Sequence, residues 1–414
     1  MSATKTFTDT PHDNTGTPDA AKTLERTPDR ARALARDLAP RLAERAGAHD
    51  RTGSFPTEDF MDLRASGLLG LMTPARLGGF GAAFADYADV AASLARGAGA
   101  TALIFNMHAS VTGALAQTPD ELIRQWGAPE TGFAARDKAL AAAAEGALYG
   151  VAMSERGTGS RLSRTATAYR RTDGGYRITG SKAFVSGAGH VDAYLVTARD
   201  PDAEEPCVSY FLVPAGEGVH VELTWDSLGM RATGSQDVHF DVEVGEEALL
   251  GGMEGMTLLL AQVMPQWLVA SYAAVYGGVA RAAVDAAGEQ IRSRGLAALP
   301  AVRARLGRAD AAVAAAELVV AETAARIDEA PGDPETNRWV WRAKLIAGDT
   351  ASQVASSLLE AAGASATRRG NPLERLYRDA RCGALQPATS DVCADWLGMA
   401  EIGDDPDDAE AARW

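Results

Sequence analysis

The chain has 414 residues, of which 46% are hydrophobic and 23% charged, a composition typical of a globular protein with two or three packed units. Its formal net charge of -15, from 40 basic and 55 acidic residues, argues against nucleic acid and membrane surfaces as partners. The three cysteines, Cys207, Cys382 and Cys393, form no CxxC motif. We interpret them as reduced thiols of a cytoplasmic protein.

The first part of the chain is predicted to be a helical domain that follows a disordered tail. Residues 1–23 are rich in Thr, Asp and Pro and lack the basic and apolar regions of a secretion signal, so we expect no ordered structure there. Residues 24–147 are rich in Ala and Leu at helical spacing, as at Leu34, Leu38 and Leu42. This part is therefore predicted to be an N-terminal α-helical domain.

The middle of the chain, residues 148–252, is predicted to be a β-domain. Helical spacing disappears there, and short runs of β-branched and aromatic residues alternate with glycine-rich turns. A turn at Gly180 is predicted to separate a strand at 176–178 from another at 182–186. The turns place hydroxyl side chains at strand ends, where they could face a ligand.

Residues 253–405 are predicted to form a C-terminal domain like a four-helix bundle, with a tail at 406–414. Its first helix is predicted to run from Met256 to Arg292. The part at 256–280 carries no charge and is long enough to cross a bilayer. The helical period of its larger side chains favours a helix buried in a bundle instead.

Four segments in order resemble motifs of the acyl-CoA dehydrogenase superfamily of flavoproteins. They read SERGTGS at 154–160, GSKAFVSGA at 180–188, LGMRATGS at 228–235 and RDAR at 378–381. Their order and spacing are more specific than any one of them alone. The resemblance implies an α+β fold of three domains: an N-terminal helical domain, a β-barrel-like middle domain and a C-terminal helix bundle. It also implies a homodimer or homotetramer.

The same resemblance implies a flavin cofactor, FAD with FMN as the alternative. The residues at the family's flavin-binding positions are Met153, Ser154, Gly159, Ser160, Phe184, Ser186, Arg292, Glu360, Gly363, Thr389 and Asp391. An isoalloxazine ring needs a wall on one face and donors at its polar edge, and Phe184 with the neighbouring hydroxyls would supply both. Glu360 stands where the family has glutamine, and the segment around Arg292 is shortened. These departures permit FMN or a loosely held reduced flavin.

The carboxylate that removes the substrate's α-proton in most of the family is missing here. Pro387 occupies its position, and the position used by a minority of the family, within 264–268, also lacks an acid. His108 in the apolar helix at 101–115 is therefore the candidate base, and His108 and Ser160 are the candidate substrate contacts. A lone histidine in such a helix is more often hydrogen-bonded in the core.

Three functional hypotheses stay open. The preferred one is α,β-dehydrogenation of an acyl thioester on CoA or a carrier protein, with a flavoprotein as electron acceptor; the acyl-site loop favours it. The second is monooxygenation or N-hydroxylation with reduced flavin and oxygen, which the missing carboxylate favours. The third is a non-catalytic scaffold that binds flavin or an acyl chain. No metal-ligand motif occurs in the sequence, so no metal is expected.

Overall fold

The computed structural model describes residues 26–404, so the two predicted tails lie outside the described residues. Within this range the elements follow the order helices, sheet, helices. One continuous hydrophobic core runs through all three parts. The N-terminal and C-terminal helices pack directly on each other, and the sheet packs against helices of both parts.

The N-terminal part contains six helices: α1 Pro28–Thr52, α2 Thr57–Ser66, α3 Phe84–Gly97, α4 Gly99–Gln117, α5 Asp120–Gln125 and α6 Glu130–Ala144. Helix α1 begins at a Thr27 cap with Pro28 in its first turn and ends at Gly53, whose φ of 64° suits glycine. Helix α4 is apolar on most of its faces, and most of its residues are accordingly buried.

The middle part forms one sheet of seven strands: β1 Tyr149–Ala152, β2 Ala168–Thr172, β3 Gly175–Val185, β4 Ala193–Arg199, β5 Val208–Pro214, β6 Val219–Glu222 and β7 Gln236–Gly245. The strand order is β1-β4-β2-β3-β7-β6, and β5 pairs with β4. Strand β4 runs parallel to β1 and β2, and the other pairs are antiparallel. Strands β1 and β3 end side by side, since Ala183 N donates to Ser154 O at 2.8 Å.

The turn predicted at Gly180 is wrong, because β3 continues through this residue. Gly180 has a φ of 152°, and a Cβ atom there would lie 2.5 Å from Thr167 Oγ1. The glycine therefore permits a close approach of two backbones inside the sheet.

The C-terminal part contains α7 Met256–Val263, α8 Ala270–Ser293, α9 Pro300–Glu329, α10 Pro334–Ala362, α11 Pro372–Arg381 and α12 Ser390–Glu401. The single helix predicted from Met256 to Arg292 is wrong, because the chain breaks between α7 and α8 at a short 3-10 turn, Pro265–Trp267. Proline supplies no N–H for a continuous helix. The apolar segment Pro265–Ser293 meets the length and hydropathy of a membrane span, but 83% of its most apolar window is buried inside the fold.

Two adjacent glycines of α8 give a matched test of how α8 packs on α3. A Cβ atom on Gly278 would lie 2.3 Å from Ala92 O, whereas one on Gly277 would meet nothing within 4 Å. We expect Gly278→Ala to lower the free energy of unfolding by about 1–3 kcal/mol. Gly277→Ala is expected to raise it by about 0.5–1 kcal/mol, because alanine is the better helix former. Urea unfolding followed by circular dichroism measures both, and equal effects would contradict this packing.

Candidate functional site

A cavity of about 420 Å³ lies where the ends of β1 and β3 face α4, α6, α7, α8 and α12. Its lining is mainly apolar, with a few hydroxyl, amide and charged groups. The volume lies in the range of about 300–1,000 Å³ that small-molecule sites occupy.

Part of the predicted flavin-binding set lines this cavity. The lining residues from that set are Met153, Ser154, Ser160, Phe184, Ser186 and Thr389, and Pro387 lies with them. Gly159 and Asp391 are chain neighbours of lining residues and do not themselves line it. The structure therefore brings together the residues predicted from the strand ends and from the segment before α12.

Three predicted residues of the C-terminal part lie away from the cavity. Arg292 pairs with Glu289 at 2.7 Å, and Glu360 pairs with Arg305 at 2.6 Å. Gly363 ends α10 with a φ of 82°. Both charged side chains already have partners, and their contact with a cofactor stays a prediction.

A chain of hydroxyls holds Ser186 at the end of β3. Ser186 Oγ lies 2.9 Å from Ser235 Oγ, which lies 2.7 Å from Thr233 Oγ1. Thr233 Oγ1 in turn donates to Met230 O at 2.8 Å. The segment 228–235, singled out in the sequence, thus supports the cavity wall.

Phe184 adopts a strained backbone conformation in the cavity wall. Its φ is 59°, which is a genuine outlier for a bulky side chain and costs about 1–3 kcal/mol. The side chain is 62% exposed and meets Trp225 edge to face, with ring centroids 6.2 Å apart. The fold therefore presents an aromatic ring at the cavity at an energetic cost.

A buried ion pair fixes the loop between β1 and β2, which supplies Ser160 to the cavity. Lys182 Nζ donates to Glu155 Oε1 at 2.8 Å and to Thr165 Oγ1 at 2.8 Å. The backbone N–H groups of Ala166 and Thr167 donate to the same carboxylate at 2.6 and 2.9 Å. Burial opposes the charge, but the Lys182 ammonium and these donors lower the pKa of Glu155 to about 2.

The segment between α11 and α12, which contains Pro387, is held from α10. Lys344 Nζ donates to Gly383 O at 2.8 Å, and Ser390 Oγ donates to Asp349 Oδ1 at 2.7 Å. Among the carboxylates of residues 26–404, Asp395 alone lines the cavity, and this residue is exposed. The described part of the cavity therefore contains no buried carboxylate that could remove an α-proton.

The structure contradicts the prediction that His108 is the base and a substrate contact. His108 is 1% exposed and is absent from the cavity lining. Its Nε2 lies 2.7 Å from Leu69 O, and its Nδ1 accepts from Tyr149 N at 3.1 Å. Both ring nitrogens thus bind backbone groups of the core, and burial lowers the pKa of the ring to about 4.

The Arg-Asp-Ala-Arg motif links domains and does not line the cavity. Arg378 donates to both oxygens of Asp50 on α1, at 2.9 and 2.6 Å, and to Glu374 on its own helix. It also donates to Leu228 O at 3.0 Å. Asp379 accepts from Met230 N at 2.6 Å. The motif therefore joins α11 to α1 and to the segment 228–235.

Sequence reasoning missed four hydroxyl residues of the cavity: Ser110 on α4, Thr118 directly after it, Tyr210 on β5 and Tyr272 on α8. Ser110 lies three residues after Met107 and four before Ala114, which line the same wall. This helical spacing was a usable signal.

Comparisons with known proteins agree with this architecture. Models of the N-terminal, middle and C-terminal domains of acyl-CoA dehydrogenase match residues 25–133, 150–242 and 270–390. The protein named "Putative acyl-CoA dehydrogenase YdbM" of Bacillus subtilis (strain 168) is 30% identical over 366 residues, which cover 86% of this chain and 92% of that protein. The predicted three-domain α+β fold is thereby confirmed.

Two further relatives carry other activities in their names. The L-evernosamine nitrososynthase of Micromonospora sp. (strain ATCC 39149 / NRRL 15099 / SCC 1413) is 31% identical over 89% of each chain. The FMN-bound structure of TdsC from Paenibacillus sp. A11-2, a dibenzothiophene monooxygenase, has a TM-score of 0.78 and 28% identity over 90% of this chain and 97% of its own. The chain therefore belongs to the acyl-CoA dehydrogenase family of flavin-dependent oxidoreductases.

Proposed function

We propose that the protein is a flavin-dependent monooxygenase that oxygenates a largely apolar substrate in the 420 Å³ cavity. The observation that carries this proposal is the absence of a buried carboxylate from the cavity lining in residues 26–404. Dehydrogenation of a thioester needs a base close to the substrate's α-carbon. Oxygenation by reduced flavin has no such requirement.

The residues of the cavity fit an isoalloxazine ring. Phe184 supplies an aromatic wall, and the hydroxyl of Ser154 makes no hydrogen bond within residues 26–404. Thr389 Oγ1 accepts from Val392 N at 3.3 Å and keeps its own proton available. Both hydroxyls can therefore donate to the polar edge of the ring.

When bound, reduced flavin supplies the electrons with which one oxygen atom of O2 enters the substrate while the other leaves as water. Ser154 and Thr389 would hold the edge of the ring. The apolar lining would exclude bulk water and orient the substrate toward the wall that carries Phe184.

We infer FMN as the cofactor in preference to FAD. Glu360, expected to hold the adenylate half of FAD, is a carboxylate where the family has glutamine, and an ionised carboxylate cannot donate a hydrogen bond to the cofactor. The FMN-bound relative supports the same choice. The cytoplasmic location and the homodimer or homotetramer stay predictions.

A second candidate function is α,β-dehydrogenation of an acyl thioester, with electrons passed to a flavoprotein. The 30% sequence identity to YdbM favours this function. So does Ser160, which lines the cavity and resembles the family's acyl-site serine. This function would require a base other than His108.

Two measurements separate the candidates. With reduced FMN, ¹⁸O2 and a panel of aromatic heterocycles that includes indole and dibenzothiophene, we expect one ¹⁸O atom in an organic product. In anaerobic mixtures of the oxidised flavoprotein with acyl thioesters, we expect no loss of flavin absorbance. Bleaching by a thioester without incorporation of ¹⁸O would instead establish the dehydrogenase. If neither bleaching nor ¹⁸O incorporation is observed, the non-catalytic scaffold is the hypothesis that stands.

Phe184 allows stability and flavin binding to be separated. We expect Phe184→Gly to leave the free energy of unfolding within about 1 kcal/mol of the wild-type value. The substitution relieves the backbone strain of the folded state, and this gain offsets the larger conformational entropy that glycine gives to the unfolded chain. Its affinity for FMN should fall about tenfold, because the ring loses an apolar wall. Urea unfolding and fluorescence titration with FMN measure the two effects. Leu223→Gly, at a residue 84% exposed outside the cavity, is the control and should keep its affinity.

A further inference from the structure

Tyr210 of β5 carries a hydroxyl group that is accessible and has no partner. The residue is half-buried and lines the cavity. Its hydroxyl makes no hydrogen bond within residues 26–404. Unlike the unpaired Oγ of Ser110, which protein atoms enclose, the Tyr210 hydroxyl retains accessible surface. A ligand can therefore reach this hydroxyl.

The accessible surface of Tyr210 belongs to the cavity. The strand neighbours of Tyr210 point to the other face of the sheet, where Ser209 Oγ donates to the Tyr169 hydroxyl at 3.4 Å and the Phe211 and Tyr169 rings lie 5.1 Å apart. Alternation along the strand places Tyr210 on the opposite face, toward α4. Surrounding protein atoms raise the pKa of Tyr210 above its ordinary value of 10, so the hydroxyl stays protonated.

The side chains around Tyr210 form an apolar part of the cavity wall. Tyr210 packs against a buried cluster that links α4 to β1 and β4. The cavity-lining residues that belong to this cluster or pack against it are, besides Tyr210, Val111, Leu115, Val151, Met153, Leu195 and Leu250. Met153 directly precedes Ser154, which is proposed to hold the edge of the flavin. The apolar part therefore begins beside the proposed flavin position, and Tyr210 brings a hydrogen-bond donor into it.

We propose that the Tyr210 hydroxyl determines substrate specificity by donating a hydrogen bond to one neutral acceptor on an otherwise apolar substrate. Suitable acceptors are a heteroaromatic nitrogen, an ether oxygen and a carbonyl oxygen. Taking this ligand as the substrate rests on the proposed function. A substrate without an acceptor covers the hydroxyl and leaves it unpaired, and this loss discriminates against that substrate.

The test measures the dissociation constants of quinoline and naphthalene on the full chain loaded with oxidised FMN. These planar bicycles have the same shape and differ in one ring nitrogen against C–H, and quinoline is uncharged near neutral pH. Flavin absorbance follows binding, and the shift in Tm follows it independently. We expect the ratio of the naphthalene constant to the quinoline constant to fall about tenfold in Tyr210→Phe. Comparing this ratio between the two proteins cancels the different hydration of the two probes.

Tyr149→Phe is the matched control. Tyr149 belongs to the same cluster but does not line the cavity, and its hydroxyl donates to Ala139 O at 2.7 Å. This variant should keep the wild-type ratio within about twofold, while its Tm without a probe falls by about 1–2 °C because Ala139 O loses its donor. Tyr210→Phe should keep the wild-type Tm, because no hydrogen bond of the fold is lost.

Three results would overturn the role of Tyr210: quinoline does not bind the wild type, the ratio is unchanged in Tyr210→Phe, or the ratio falls equally in Tyr149→Phe. If the ratio changes as expected but no probe gives an ¹⁸O-labelled product, the proposed function fails and the specificity contact stands. If ¹⁸O is incorporated and the ratio is unchanged, the function stands and the contact fails.

Discussion

Arg378→Met is expected to lower the free energy of unfolding by about 3–5 kcal/mol, because it leaves the carboxylate of Asp50 largely buried without its cation and removes the nearer of two arginines from Glu374. The Arg378 side chain is 5% exposed and joins α1 to α11 through two short hydrogen bonds to Asp50. Urea unfolding monitored by circular dichroism and by tryptophan fluorescence measures the loss.

Arg177→Met is the control for this experiment. Arg177 also pairs with an aspartate, Asp241, at 2.7 Å, but both side chains are at least half exposed. Surface pairs of this kind contribute less than about 1 kcal/mol. Asp50→Asn combined with Arg378→Met should recover part of the stability, because the unpaired charge on Asp50 is then removed. Similar losses for Arg177→Met and Arg378→Met would contradict the assigned role.

Lys182→Met is expected to cost a similar amount, about 3–5 kcal/mol, because the carboxylate of Glu155 stays buried without its ammonium partner. Lys182 is 1% exposed, and it also donates to Thr165 and Thr197. The loop that carries Ser160 would lose its anchor, so the affinity for FMN should fall as well. Urea unfolding and FMN titration measure the two effects. Lys138→Met, at an exposed lysine of α6, should change stability by less than about 0.5 kcal/mol.

The same ion pair predicts a pH dependence with a definite sign. The folded-state pKa of Glu155, about 2, lies below its ordinary value of 4.5, so its stabilisation is complete above pH 4.5. The stabilisation is lost as the pH falls through about 2. The stability difference between the wild type and Glu155→Gln should therefore shrink as the pH falls below 4.5. Parallel curves down to pH 2 would exclude this account.

The order of the domains could be predicted because it depends on local periodicity. Helical spacing marks both helical parts, and alternation with glycine turns marks the sheet. The two errors in the elements have other causes. Gly180 lets the backbone of β3 lie close to Thr167, which belongs to another segment. In the sequence alone this neighbour is unknown, so a glycine inside a strand looks like a turn. To predict the break before α8, Pro265 would have had to be given more weight than the long apolar helical pattern around it.

The candidate site divides in the same way. Ser154, Phe184 and Ser186 follow from strand ends, and the structure places all three on one cavity. His108 was misjudged because its partners, Leu69 and Tyr149, are 39 and 41 residues away in the chain. Whether a hydroxyl such as that of Ser110 has a partner is a property of the folded molecule, which no local pattern contains.

The contacts of Arg378 explain how a chain can keep the Arg-Asp-Ala-Arg signature after the family's acid has gone from the neighbouring segment. In this chain the signature joins the first and last domains, and this role does not depend on the reaction in the cavity. The tetrapeptide therefore marks an assembly contact here, and the chemistry depends on the side chains of the following segment, where this chain has Pro387.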